Sequence, residues 1–343
     1  MLAIKEKIYK MLDDAGVAGA TVAISDRDST LAVFPYGRRV IERADMPTGE
    51  NTLYRAASIT KMVTGILTMR LVEGGSLQLD APVSSYLDWF SLKDASAAEK
   101  ITLRHLLSHK AGLPAEYTPE GPLDEGELVP SLMEGLPTLD LAYPVGEGYL
   151  YSNWGFRIIS AVIERVSGER YSSLAKRLVL SPLGMNESRY FLDAGRTYDL
   201  SMPHERDEMG APVSEKYIKE NYCRLATGGL YSNARDLLSL IRMLMRGGVA
   251  DSGERIISEA SVWEMRRENS LLPSGDGYGL ALQLHRFDGM ELIGHYGSAP
   301  PYSSALFADP VSGFAAVALI NTEKKDLRRE LVELAIRGAK GLL

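Results

Sequence analysis

A serine and a lysine three residues apart, Ser58 and Lys61, stand directly before an apolar run, Met62 to Val72, that predicts a buried helix. Residues three apart share a helix face, so the amine can take a proton from the hydroxyl. The helix N-terminus adds about half a positive charge, which favours an anion at the serine oxygen. A helix-capping serine beside a long lysine that reaches solvent is the alternative, and this pair alone does not exclude it.

A serine hydroxyl is a poor nucleophile until a base removes its proton, and Lys61 is the local candidate. To act at neutral pH, the amine must lose about three pKa units, or roughly 4 kcal/mol, through burial and neighbouring cations. The chain has no Gly-x-Ser-x-Gly elbow, Gly-rich phosphate loop or His-Glu-x-x-His motif. These absences argue against an α/β-hydrolase, a phosphate-loop protein and a zinc peptidase of that type.

Two later segments supply further reactive groups. Tyr151-Ser152-Asn153 precedes the predicted helix Gly155–Val166. There a lysine cation would lower the pKa of Tyr151, so that the phenol accepts the serine proton and returns it to a leaving group. His295-Tyr296-Gly297-Ser298 closes a predicted strand. The backbone N–H of Ser298 can join that of Ser58 in an oxyanion hole.

The composition narrows the class of protein. The 343 residues are 45% hydrophobic and 24% charged with a net charge of -7, which fits a globular protein and argues against a nucleic-acid surface. The single Cys223 excludes an intramolecular disulfide. The N-terminus lacks the pattern of an export signal, and no apolar run reaches the length of a membrane span. We therefore expect a cytoplasmic protein without a membrane or nucleic-acid partner.

Predicted strands lie near both chain ends, and the middle is rich in helices and loops. Runs of β type cover 20–25, 30–36, 278–287, 290–295, 303–307 and 314–320, and amphipathic helices open and close the chain. This order predicts an α+β fold whose antiparallel sheet is built from both chain ends, flanked by helices, with an inserted all-helical subdomain. We assign residues 1–75 and 236–343 to the α/β domain, residues 76–235 to the helical subdomain, and the active site to the cleft between them.

Taken in order, the motifs resemble the serine β-lactamase and penicillin-binding-protein superfamily over nearly the whole chain. The match is nearest to its class C-like branch, which includes D-amino-acid-specific peptidases, esterases and acyltransferases. The segments that carry the resemblance are Ser58-x-x-Lys61, Arg104–Pro114, Tyr151–Asn153, Pro182–Met185, Thr227–Ser232, Tyr278–Leu280 and His295–Gly297.

The resemblance implies a role for each matching residue. Ser58 would be the acylated nucleophile, Lys61 its base or proton shuttle, and Tyr151 the acid/base that also activates the deacylating water. Asn153 would bind the substrate carbonyl and hold Lys61. His295 takes the place of the family's Lys-Thr-Gly lysine, and Gly297 and Ser298 would belong to the oxyanion side. Tyr222 and Tyr302 are further candidate substrate contacts. No cofactor or metal is expected, because His105 and His109 have no obvious third ligand.

Two replacements and one stiff segment depart from the family pattern. His295 replaces lysine and weakens a permanent charge for a substrate carboxylate, Tyr296 replaces a small residue, and Ala299–Tyr302 is unusually stiff. We therefore expect a serine hydrolase that acts on a small ester or amide through an acyl-enzyme, as a carboxylesterase or D-amino-acid-type peptidase with weak or no β-lactamase activity. An acyltransferase, a β-lactamase and a non-catalytic binding or sensor protein are the alternatives, and the oligomeric state stays open.

Overall fold

The computed structural model describes residues 1–115, 124, 126–192, 198–206, 212–214 and 221–342. Its α-helices are α1 (Leu2–Asp14), α2 (Thr60–Glu73), α3 (Ala95–Ala98), α4 (Leu103–Leu107), α5 (Leu128–Gly135), α6 (Asn153–Ser167), α7 (Tyr171–Ala175), α8 (Leu225–Gly228), α9 (Ala234–Met245), α10 (Glu259–Arg266) and α11 (Lys325–Ala339). Its 3₁₀-helices are Ala57–Ile59, Val83–Ser85, Leu136–Thr138 and Tyr222–Arg224, and a π-helical turn covers Lys176–Leu180.

The strands are β1 (Gly19–Ser25), β2 (Thr30–Gly37), β3 (Tyr54–Arg55), β4 (His204–Arg206), β5 (Pro212–Ser214), β6 (Tyr231–Ser232), β7 (Ser270–Leu271), β8 (Gly277–Tyr278), β9 (Gln283–Phe287), β10 (Met290–Ala299), β11 (Tyr302–Asp309) and β12 (Phe314–Ile320). The main sheet has eight strands in the order β2-β1-β12-β11-β10-β9-β8-β7. N-terminal β1 pairs antiparallel with C-terminal β12, with Ala20 opposite Ile320. The predicted α+β fold, with an antiparallel sheet drawn from both chain ends, is confirmed.

Helices cover both faces of this sheet because its central strands are apolar on both sides. Along β12, Ala316, Ala318 and Ile320 pack with α1 and α11, whereas the alternating Val317 and Leu319 join the larger core beneath α2, α6 and α9. A strand buried on both faces reads as a continuous apolar run. β12 therefore lies in the sheet core, where it pairs with β11 and supports β11 and β10 beside α2.

The structure differs from the predicted elements in two places. The expected strand 278–287 is broken between β8 and β9. Ala281 has a left-handed φ of 59°, which a strand does not allow. The backbone at Gly279 lies so close to the Met265 carbonyl oxygen that an added Cβ would be 2.0 Å from it. The middle of the chain is not all-helical, since it contains β4, β5 and β6. The boundaries at residues 75 and 235 stay a prediction, and one apolar core includes residues on both sides of them. Within the described ranges, no helix is long and apolar enough to cross a bilayer.

An ionic cluster ties β9 to α11 beneath the sheet. His285 contacts Asp276 through Nδ1 at 3.1 Å and Glu333 through Nε2 at 2.9 Å, and Arg329 lies 3.9 Å from Glu333. Burial lowers the pKa of His285, but the hydrogen bonds and charges of both carboxylates outweigh it and raise the pKa overall. The two carboxylates therefore favour the charged form of the imidazole.

This cluster predicts a pH-dependent stability. Because the folded state raises the pKa of His285, its contribution is complete below the unfolded value of about 6.5 and is lost as the pH rises through the folded value. We expect His285→Gln to lower the melting temperature more at about pH 6 than at about pH 9. Arg43→Gln, in an exposed pair with Asp45, is the control and should show little effect at either pH. An equal loss for His285→Gln at both values would contradict a charged His285.

Candidate active site

The first turn before α2 holds Ser58 in a fixed, strained position. Ala57, directly before it, has a φ of 49°, a left-handed conformation that costs an alanine about 1 kcal/mol or more. The Thr60 hydroxyl donates to the Ala57 carbonyl at 2.6 Å and accepts the Leu230 N–H at 3.2 Å. The Ser58 N–H precedes the first hydrogen bond of the turn, which runs from Ile59 to Ala56. This N–H is therefore available to an external acceptor.

The amine of Lys61 is fully buried between three oxygen atoms. It donates to Asn153 Oδ1 at 2.8 Å and to the Thr227 carbonyl at 2.8 Å, and Ser58 Oγ lies 3.4 Å away. A neutral amine has two N–H groups and one lone pair. A neutral amine that gives its two N–H groups to Asn153 and Thr227 keeps its lone pair for Ser58 Oγ. In that protonation state the serine hydroxyl can donate its proton to the amine.

Burial and a neighbouring cation favour the neutral form of Lys61. Desolvation is the largest cause and the Arg157 guanidinium the second, and together they lower the pKa of Lys61 well below its ordinary value. The Tyr151 and Phe156 rings, 4.8 and 5.2 Å from Nζ, favour the cation instead. Such ring contacts supply about 2 kcal/mol at most, whereas desolvating an ion costs several kcal/mol. Desolvation therefore dominates.

Tyr151 stays a neutral phenol, which corrects the expected lowering of its pKa. Burial raises the pKa of Tyr151 above its ordinary value, and an interaction with Ser58 opposes the rise only in part. A neutral Lys61 cannot supply the cation on which the expectation depended. The buried hydroxyl has no partner with hydrogen-bond geometry in the described part of the chain. Burial thus favours the neutral phenol of Tyr151 over the phenolate.

Glycine at 297 lets β10 pass directly over the turn that carries Ser58. A Cβ there would lie 2.4 Å from the Ala56 carbonyl oxygen and 2.1 Å from Ser304 Oγ, far inside contact distance. The same Ser304 hydroxyl donates to the Ala56 carbonyl at 2.8 Å, which fixes the turn against β11. The small residue is therefore a requirement of close approach between backbones.

The Ser298 N–H faces an uncovered edge of β10. The Tyr296 N–H donates to the Gln283 side chain at 2.8 Å, on the side of β9. Alternate residues of a strand point their N–H groups to the same edge, so the Ser298 N–H points there too. Pairing with β9 ends where Gly294 meets Gln283, which leaves this N–H free of the ladder. Ser58 and Ser298 line one cavity at this edge.

A chain of hydrogen bonds engages both ring nitrogens of His295 and fits a neutral imidazole. The Ser152 N–H donates to His109 Nδ1 at 3.1 Å, so the neutral ring of His109 carries its proton on Nε2, 3.2 Å from the Tyr278 hydroxyl. That hydroxyl then donates to His295 Nε2 at 2.9 Å, and His295 Nδ1–H donates to the Tyr296 carbonyl. Burial lowers the pKa of His295 to about 3. His295 therefore positions β10 and supplies no positive charge.

Two candidate substrate contacts, Tyr222 and Tyr302, and the bulky Tyr296 lie outside the described lining of the cavity beside Ser58. The Tyr222 hydroxyl donates to Glu164 at 2.7 Å and the Tyr302 hydroxyl to the Ser201 carbonyl at 2.6 Å, and neither side chain lines the cavity beside Ser58. Both side chains are buried, and their contact with a substrate stays a prediction. Tyr296 does not add bulk to the site either, because it packs on Phe307 with a ring separation of 4.5 Å, on the α11 face of the sheet.

Sequence reasoning also missed residues that line the cavity. Its volume is about 240 Å³ and its described lining is Arg55, Ala57, Ser58, Asn153, Arg157, Arg224, Thr227, Gly228, Ser298, Ala299 and Pro300. Arg157 follows Asn153 by four residues on α6, so helical spacing could have placed it on the same face. No comparable local signal marks Arg55 or Arg224.

The two histidines considered as metal ligands are engaged in other contacts. His109 bonds Ser152 and Tyr278 as above, and His105 Nδ1 lies 3.1 Å from the Thr102 hydroxyl in a helix-capping arrangement. Among the residues that the structure covers, no group of three His, Cys, Asp or Glu side chains could hold a metal ion.

Comparison with known proteins identifies the family. Residues 4–339 match the model of the family described as Beta-lactamase. The chain belongs to the Beta-lactamase family. It is 28% identical to penicillin-binding protein 4 of Amycolatopsis lactamdurans, over 83% of this chain and 78% of that protein. It is 33% identical to the esterase EstB of Burkholderia gladioli, but over only 42% of this chain and 40% of the relative.

A solved structure supports the same conclusion. The octameric penicillin-binding protein homologue from Pyrococcus abyssi is 26% identical and superposes with a TM-score of 0.84, covering 99% of this chain and 77% of that one. The resemblance to the serine β-lactamase and penicillin-binding-protein superfamily is thus confirmed, and this Beta-lactamase family member is a serine hydrolase of that superfamily.

The close approach at Gly297 yields a prediction for this family member. Gly297→Ala pushes β10 from the Ser58 turn, and a displacement of about 1 Å in a site lowers activity about a hundredfold. We expect such a loss of kcat/KM for p-nitrophenyl butyrate with an unchanged circular dichroism spectrum. Gly74→Ala, where the nearest atom to the added Cβ is 3.4 Å away, is the matched control and should keep full activity. Full activity in Gly297→Ala would refute the positional requirement.

Proposed function

We propose that this protein hydrolyses a small ester or amide through a covalent acyl-enzyme on Ser58. The observation that carries the proposal is the fully buried Lys61 amine, whose Nζ lies 2.8 Å from Asn153 Oδ1, 2.8 Å from the Thr227 carbonyl oxygen and 3.4 Å from Ser58 Oγ. A binding module has no need of a nucleophile matched to a base of lowered pKa. Such a pair is typical of an enzyme site.

The positions of the groups support an acylation step. Lys61 Nζ takes the proton of Ser58 as Oγ attacks the substrate carbonyl carbon. The N–H groups of Ser58 and Ser298 donate to the resulting oxyanion. The neutral Tyr151 hydroxyl gives its proton to the leaving oxygen or nitrogen, and the Lys61 ammonium restores that proton. The C–O or C–N bond breaks, and the acyl group stays on Ser58.

Deacylation uses the same groups in reverse. A water molecule attacks the acyl carbonyl and loses a proton to the Tyr151 and Lys61 pair, and Ser58 Oγ leaves with a proton from Lys61. Asn153 holds the amine in place throughout, since it accepts one of the amine N–H groups. An added alcohol or amine can take the place of water, so transfer and hydrolysis share one intermediate.

Esters and unusual amides, including those of D-amino acids, fit the site better than penicillins. A neutral, buried His295 cannot pair with the substrate carboxylate at the position where the family commonly has a lysine. The partial similarity to an esterase gives additional support to the ester. The departure at Tyr296 no longer contributes to this preference, because its ring lies on the other face of the sheet.

The nucleophile is tested by covalent labelling. We expect a fluorophosphonate probe to add one label to the wild-type protein, located on the peptide that contains Ser58, and Ser58→Ala to lose both the label and p-nitrophenyl ester hydrolysis. Ser298→Ala serves as the control, since its backbone N–H remains and its labelling should persist. Labelling or turnover that survives in Ser58→Ala would refute the acyl-enzyme assignment.

The pH dependence tests the state of Lys61. The free amine is the active form, so kcat/KM for a neutral ester rises with pH through the pKa of Lys61 and then levels off. Removing the Arg157 cation raises that pKa, so Arg157→Met should move the rising limb to higher pH. Arg157→Lys should restore it, and Arg165→Met, exposed on the same helix, should leave it unchanged. A limb that does not move in Arg157→Met would show that Lys61 is not the titrating base.

A further inference from the structure

Arginine side chains form part of the lining of the cavity beside Ser58. The described lining residues include three arginines, Arg55, Arg157 and Arg224, and no Asp or Glu. We call these three residues the arginine wall. The chain as a whole has a net charge of -7, so three arginines in the described lining of one cavity contrast with the overall composition. Its place next to the nucleophile suggests a role in binding.

The arginine wall is built from the same elements that hold Lys61. Arg157 lies four residues after Asn153 on α6, and Arg224 lies three residues before Thr227, whose carbonyl accepts from Lys61. Arg55 comes from β3, and its Nε donates to the Gly228 carbonyl at 3.3 Å. None of the three comes from β10, the strand of His295. The wall is therefore a separate feature from the position that the family's lysine would take.

We propose that the arginine wall binds a carboxylate of the substrate, so that the natural substrate is an ester or amide bearing a carboxylate within reach of Ser58. This proposal rests on the acyl-enzyme function proposed above. Guanidinium groups donate paired N–H groups in a planar fork that matches a carboxylate. Positive charge at the mouth of a cleft also raises the rate at which an anionic substrate arrives.

The geometry favours Arg224 as the main contact. Arg157 is almost fully buried, so we expect it to act through its charge. Arg224 is half-buried, so its side chain is partly exposed to solvent and accessible to a ligand. The described part of the chain places no carboxylate in hydrogen-bond contact with the Arg224 side chain. A cavity of about 240 Å³ has room for a short acyl chain with a terminal carboxylate.

Matched substrate pairs test the proposal. One pair places the charge in the acyl group: the mono-p-nitrophenyl ester of glutaric acid and its terminal carboxamide. A second pair places it in the leaving group: 3-carboxyphenyl butyrate and 3-carbamoylphenyl butyrate. We expect kcat/KM for the carboxylate to exceed that for the carboxamide by about tenfold or more in one pair. The pair that shows this preference identifies whether the acyl group or the leaving group contacts the arginine wall. A ratio near one in both pairs would overturn the proposal.

Variants test whether a preference for the carboxylate substrate comes from the arginine wall. Arg224→Gln should reduce the charged-to-neutral ratio about tenfold, and Arg224→Lys should restore it in part because it keeps the charge but not the fork. Arg235→Gln is the control, since it removes one exposed arginine that pairs with Glu50 far from the cavity lining, and the ratio should not change. A ratio that Arg224→Gln leaves unchanged would contradict the assignment.

A binding measurement separates this inference from the proposed function. In the Ser58→Ala protein, glutarate should raise the melting temperature at constant ionic strength, glutaramide should not, and the added change Arg224→Gln should remove the shift. Surviving esterase activity in Ser58→Ala would refute the acyl-enzyme. The glutarate measurement would still show whether the arginine wall binds a carboxylate. The absence of a glutarate shift would overturn the carboxylate site even if Ser58 is acylated.

Discussion

The burial of one lysine amine is the constraint on which the site depends. Lys61 lies in the first turn of α2 inside the protein, where Asn153 and the Thr227 carbonyl accept hydrogen bonds from its amine. Keeping a charge there would cost several kcal/mol, so burial favours the neutral amine. Because its partners come from α6 and α8, the packing of these helices on α2 sets the pKa of Lys61 and its distance from Ser58.

The side of the site formed by β10 is positioned by backbone contacts and hydrogen bonds. Gly297 brings β10 onto the Ser58 turn, and the His109–Tyr278–His295 chain joins this strand to the segment that carries Tyr151. With His295 neutral, positive charge near the nucleophile comes from arginines on α6, on β3 and before α8. The site therefore combines an edge of β10 without side-chain charge and a cavity with three arginines in its described lining, which is the basis for proposing an anionic ester or amide as substrate.

Much of the fold followed from the sequence because its signals were local. The apolar run at β12 and the three-residue spacing of Ser58 and Lys61 do not depend on distant contacts. The resemblance then linked motifs that lie far apart in the chain. Properties set by burial could not be foreseen: Tyr151 was expected to have a lowered pKa, yet packing raises it. The inward placement of Arg224 likewise depends on tertiary structure, whereas that of Arg157 had a helical signal four residues after Asn153.

The protonation state of Lys61 is the most direct measurement of the central claim. With lysine ¹³C-labelled at Cε, the Lys61 signal is assigned by its loss in Lys61→Arg and followed through a pH titration by NMR. The account predicts that this signal already has the shift of a neutral amine at about pH 8, well below the ordinary lysine pKa of about 10.4. A Lys61 signal that stays that of an ammonium up to about pH 10 would contradict it.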